Sequence, residues 1–154
     1  MKNKLRVAKK NEYVIEVNDN GDTISFNIED PSLPLRAEKA YEDIQKLTEN
    51  MKAELFIVSK RDDVKGNKIL SKNEKETLEI YNKAFNDMRR AMDGFLGKGA
   101  CQKIFGDTNY LTMYDDLFEQ LTPHFENMGM SIGSLIDAIK KKYGSNDDEE
   151  TLEA

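Results

Sequence analysis

Cys101 and His124 are the single cysteine and the single histidine of this 154-residue chain, and the side chains best suited to covalent or acid–base chemistry. A thiol nucleophile needs a base beside it. His124 lies far downstream, directly after Pro123, and no Asn/Asp/His signature surrounds either residue. Cys101 therefore reads as a small buried or boundary residue, and His124 as one that caps or packs at a helix end. Gly94-Phe95-Leu96-Gly97-Lys98-Gly99 invites a phosphate-loop reading. A Walker loop spaces its glycines more widely, follows Gly-Lys with Ser or Thr, and comes after a strand. Here only Phe95 and Leu96 intervene and Gly99 replaces the hydroxyl residue, so the glycines read as a helix end turning through a left-handed conformation. Asn18, Asp19, Asn20 and Asp22 surround Gly21 and suggest a calcium loop. With Gly21 in the glycine position, the first ligand is Glu16 and the last is Asn27, where a bidentate Glu is required, and the flanks read as strands. Asp115, Asp116 and Glu119 lie close together without a histidine, as on a solvated helix face. No catalytic, cofactor-binding or metal-binding residue is assigned, and the chain reads as a non-enzyme.

Composition narrows the class. The formal net charge is −6 with a pI near 5.0, whereas a nucleic-acid site wants a basic face. One cysteine forbids an intrachain disulfide and suits a reducing cytosol. No apolar run approaches the roughly 20 residues that span a bilayer. The start, MKNKLRVAKK, is basic but lacks the apolar centre of a signal peptide. The expectation is a soluble cytoplasmic protein with no nucleic-acid or membrane partner.

The elements that must position these residues follow from periodicity. Leu5 and Val7 alternate with polar neighbours, which allows a short strand or a solvated arm. Tyr13, Ile15 and Val17, then Ile24, Phe26 and Ile28, alternate with polar positions on either side of Asn20-Gly21. A two-residue turn there predicts a β-hairpin that pairs Val17 with Ile24, Ile15 with Phe26 and Tyr13 with Ile28. Ala37, Tyr41, Ile44, Thr48, Met51, Leu55 and Val58 predict a helix over 34–59. Its stripe suits a core, or a seam facing a partner. Residues 60–70 form a charged loop. Ser71-Lys72-Asn73-Glu74 is a capping box opening a helix over 71–96, antiparallel to the first. One or two helical turns follow over 100–105, then a helix over 111–120, with Pro123 either kinking it or starting a new segment. A last helix over 128–143 carries Met128, Ile132, Leu135, Ile136 and Ile139, and Lys140, Lys141 and Lys142 suit the negative end of its dipole. The fold class is mainly α with an N-terminal β-hairpin, an α+β chain with a bundle of four to five helices. Residues 1–143 form one domain, and 144–154 a disordered acidic tail.

The segment Arg89 to Met128 resembles a family of tail proteins from Gram-positive siphophages and defective prophages, the tail assembly chaperones. The resemblance rests on Asp93, Phe95, Gly97, Gly99, Cys101, Gln102, Lys103, Phe105 and Gly106, followed by Phe118, Leu121 and Pro123. Asp30-Pro31-Ser32 after the hairpin is similar to that family's N-terminal region. Leu96 between Phe95 and Gly97, and the lack of a proline near Thr108, depart from its pattern. The resemblance implies a chaperone of the bacterial host cytoplasm. It would coat the helical tape-measure protein before the tail tube assembles, with the tail-tube protein as a further contact and room for a homo-oligomer. It carries no catalytic residues and no cofactor. The alternative is a structural tail adaptor or tail-completion protein retained in the virion.

A protein that holds amphipathic helices needs apolar surface that repacks around varied side chains, and methionine suits this. Met88, Met92, Met113, Met128 and Met130 cluster around the central stretch and the last helix, with core filling the competing use of each. The grip is assigned to Met92, Phe95, Phe105, Met128, Met130, Ile132, Leu135, Ile136 and Ile139. Gly129 and Gly133 weaken the last helix, which on this reading moves aside to expose a groove or pairs with a second copy.

Overall fold

The computed structural model describes residues 3–8 and 12–128. An antiparallel hairpin, β1 (Glu12–Glu16) and β2 (Thr23–Asn27), precedes four helices: α1 (Ser32–Ser59), α2 (Lys72–Leu96), α3 (Ala100–Phe105) and α4 (Met113–Met128). This is the expected α+β architecture. Residues 3–8 form no strand, and Leu5 and Val7 are exposed. The expected helix over 128–143 and the acidic tail lie, apart from Met128, outside the described residues.

The hairpin register differs from the expected one by two positions. Ile15 pairs with Ile24 and Tyr13 with Phe26. Asn18 accounts for the shift. Its side-chain oxygen accepts from the backbone N–H groups of Asn20 (2.9 Å) and Asp22 (3.2 Å), and its carbonyl accepts from Gly21 N–H (3.2 Å). That local turn consumes Asn18 to Gly21, and the ladder resumes at the Val17 N–H to Asp22 carbonyl bond (2.9 Å). A slip of two keeps every side chain on its face. Ile24 and Phe26 therefore remain buried, while Ile28 falls beyond the strand and is exposed.

Helix starts follow local chemistry. Asp30 accepts from the Ser32 N–H (2.8 Å) and hydroxyl (2.7 Å), so α1 begins at Ser32, with Pro34 in its first turn. The capping box of α2 is complete: Ser71 Oγ accepts from Glu74 N–H (3.0 Å) and Glu74 Oε1 from Ser71 N–H (2.8 Å). The charged loop between the helices is tied down, because Asp63 accepts from Asn73 N–H (3.0 Å) and Asn73 Nδ2 donates to the Arg61 carbonyl (3.1 Å).

Helix α4 extends further than the expected 111–120 and passes through Pro123 to Met128. A proline inside a helix costs about 3 kcal/mol. Burying Phe125 and Met128 returns about 1.5–3 kcal/mol each, so the helix continues. Pro123 itself faces solvent, and the Thr122 hydroxyl donates to the Phe118 carbonyl (2.8 Å).

The core sits at one end of the long α1–α2 hairpin. In α1 the buried residues run from Leu33 to Ile44, and then only Val58 is buried. The stretch between them, and the first two turns of α2, pack as a bare pair of helices. Replacing Ser71 with Ala should lower unfolding stability by about 1 kcal/mol in urea titrations. The bonds from Ser71 hold the Glu74 carboxyl below its ordinary range. Its contribution is therefore full above the unfolded glutamate pKa and lost as pH falls through the lower folded value. The urea-midpoint gap between the wild type and Glu74→Gln should narrow on acidification through that window.

Candidate functional site

The central stretch that looked chemical is a structural knot. Helix α2 ends at Leu96, Gly97 takes φ 115° and Gly99 φ 74°, and the chain reverses into α3. Asp93 Oδ1 accepts from Cys101 N–H (2.9 Å), which ties the start of α3 to the last turn of α2. Burial, then the hydrogen-bonding Asp93 carboxylate, pushes the Cys101 thiol well up. A thiol only 1% exposed and held protonated is not a nucleophile. His124 is not at a helix end: it lies within α4 and meets Tyr13 of β1, whose hydroxyl is 2.9 Å from Nδ1. The pair locks the hairpin to α4. The Asn18 and Asp22 side chains bond to each other (2.8 Å), and Asn18 Nδ2 also donates to the Lys103 carbonyl (3.0 Å).

Arg89 was not singled out by sequence reading. Its guanidinium donates to Asn109 Oδ1 (2.8 Å) and to the Gly106 (2.8 Å) and Thr108 (3.0 Å) carbonyls, and it lies over the Phe105 ring, 5.6 Å from the centroid. One side chain thus folds the turn between α3 and α4. Its signal was weak, because an arginine within an amphipathic helix ordinarily reads as solvated surface.

The expected grip is divided by the fold. Met92, Phe95 and Met128 are buried in the core and present no surface, and Phe105 is half-buried among Arg89, Tyr110 and Tyr114. The tightly packed core draws the large apolar side chains nearest the hairpin, so these three serve cohesion. Met130, Ile132, Leu135, Ile136 and Ile139 lie outside the described residues.

An open apolar surface occurs elsewhere. A half-enclosed cavity of about 440 Å³ lies where α4 leans across the α1–α2 pair. Tyr41, Ile44, Thr48 and Met51 of α1 form one wall, Tyr81, Phe85 and Met88 of α2 the floor, and Leu111, Tyr114, Asp115 and Phe118 the far rim. The rim is fixed: Tyr41 stacks on Phe118 (4.7 Å between centroids), and the buried Tyr114 hydroxyl donates to the Phe85 carbonyl (2.8 Å). Burial pushes the Tyr114 phenol well up, so it stays a donor. Tyr81 also lines a second, more polar hollow toward the tip of the pair, where Leu55, Val58 and Leu78 are joined by Arg61, Asp63, Asn73 and Glu74. Together they make a trough along α1 from Tyr41 to Val58, about 26 Å at 1.5 Å per residue. Leu111 is 70% exposed and Leu78 49%. The periodic stripe of α1 had signalled a face of this kind, but the contributions of Tyr81, Leu111 and Phe118 required the fold.

Among the described residues no cluster of His, Cys, Asp and Glu is placed to hold a metal ion, and no helix is long and apolar enough to cross a membrane. Native protein should leave Cys101 unmodified by a thiol reagent such as Ellman's reagent, with stoichiometric reaction appearing only on unfolding. Arg89→Ala should lower stability by about 2 kcal/mol, because three hydrogen bonds go and two carbonyls lose their donor. Arg89→Lys should recover little of that loss, since an ammonium cannot reproduce the fork.

No curated protein and no solved structure matches the chain. Residues 20–151 match the family of unknown function DUF6673, a span that takes in β2, all four helices and the sequence that follows Met128. With most of its length inside that match, the chain belongs to this family.

Proposed function

We propose that the protein is a phage tail assembly chaperone, which holds helices of the tape-measure protein in solution while the tail tube is built around it. The observation that carries this reading is the trough. Its main cavity is apolar and half-open, its far end adds polar groups, and together they are long enough for several turns of a helix, which is the helix-in-groove mode of recognition. Its lining fits a client of varied sequence. Met51, partly exposed, repacks easily, and tyrosines offer apolar faces with a polar edge. The resemblance of the segment from Arg89 to Met128 to tail assembly chaperones supports the same assignment. The partners on this reading are the tape-measure protein and the tail-tube protein, and the setting is the cytoplasm of a bacterial host.

Co-expression with the tape-measure protein of the same phage or prophage should raise its soluble fraction. The variants Met51→Asp and Leu111→Asp should each weaken capture of that client by about tenfold or more while leaving the circular-dichroism spectrum unchanged. Mass spectrometry of mature particles should find the protein absent. Its presence there in stoichiometric amount would replace the chaperone with a structural tail adaptor.

A further inference from the structure

We infer that the cavity under α4 is a socket for one basic side chain, a lysine or an arginine, on the client helix; this rests on the reading of the trough as the client site. The charges that line the trough lead to it. Arg61 pairs with Glu76 (2.6 Å), Asp63 accepts from the Val64 and Asn73 N–H groups, and Glu74 is held in the capping box with Ser71. Asp115 differs. It lines the cavity, it is exposed, and its carboxylate meets no cation among the described residues. Its neighbour Asp116 instead accepts from the Thr112 hydroxyl (3.3 Å). No residue lining the cavity is basic, and the chain carries a net charge of −6. A cation entering here therefore finds a partner and no local repulsion.

The rest of the lining suits the body of such a side chain. Lysine and arginine lay their methylene stems along apolar surface while the charged head reaches a polar edge. The α1 wall offers the apolar surface, and Asp115 stands on the far rim. Tyr41, Tyr81, Phe85, Tyr114 and Phe118 add five aromatic rings, whose π faces attract a cation. An apolar side chain in the same place would draw water off the Asp115 carboxylate and offer it no partner, so the carboxylate selects against one. The client on this reading is an amphipathic helix with a basic residue set into its apolar stripe.

The test titrates the full chain with n-hexylammonium and with n-hexanol, which share a stem and differ in charge, and follows the Ile44 and Met51 methyl signals by NMR. Hexylammonium should bind about fivefold more tightly than hexanol. Asp115→Asn should remove most of that preference and leave hexanol binding unchanged. Glu126→Gln, the same loss of charge toward the other end of α4, should keep it. Equal affinities for the two probes, a preference that survives Asp115→Asn, or no methyl shift with either probe would overturn the socket. A free amine and a client side chain share this chemistry, so the tape-measure protein supplies the second arm. Asp115→Asn should weaken its capture about fivefold. Capture indifferent to that substitution would overturn the basic anchor. A preference that depends on Asp115, with no rescue of the tape-measure protein, would keep a cation socket and remove the client reading. Rescue with equal probe affinities would do the reverse.

Discussion

Three phenylalanine rings from three distant parts of the chain hold the molecule together. Phe26 of β2 lies 5.4 Å from Phe95 of α2 and 6.2 Å from Phe125 of α4, and Phe95 lies 5.5 Å from Phe125. Such tilted and edge-on pairs add about 0.5–1.5 kcal/mol each beyond the area they bury. A two-stranded hairpin alone is marginal in water. Here it persists because Phe26 is wedged between two helices, with Tyr13–His124 and Asn18–Lys103 fastening its edges. The same wedge draws α4 back over the long helices and so creates the rim of the trough.

The placement of that core explains why an apolar face remains open. Five elements contribute to the core that holds Phe95, whereas among the described residues the distal ends of α1 and α2 pack mainly against each other. Two helices bury one stripe between them, and any apolar residue beside that stripe stays partly in water. Met51, Leu55, Leu78 and Tyr81 are in this position. A third helix laid along them would complete a small bundle.

Much of the local structure could be read in advance, and the misses have physical causes. The capping box at Ser71 and Glu74 is a short-range reciprocal bond whose partners are fixed by spacing, so it was legible and is present. The hairpin was legible as a hairpin but not in its register, because the Asn18 side chain competes with the backbone for the turn N–H groups and lengthens the loop. The end of α4 was misplaced because a proline penalty is local, whereas the burial of Phe125 and Met128 that outweighs it depends on distant neighbours. Arg89 was passed over for the same reason: its acceptors lie 17 and 19 residues on, beyond the end of α2 and the whole of α3, in carbonyls that only the fold aims at it.

By itself, then, the sequence determined the periodic elements, the caps and the turn glycines, since each depends on residues close together in the chain. Which apolar side chains become core and which stay partly exposed was decided by tertiary structure. Met92 and Phe95 lie on the same helical stripe as Leu78 and Tyr81, yet the first pair is buried in the core while the second stays partly exposed and lines the hollow between α1 and α2. Periodicity tells a side chain which face of its own helix it occupies. Only the arrival of a second layer on one stretch of that face, and not on the next, separates a buried side chain from a partly exposed one.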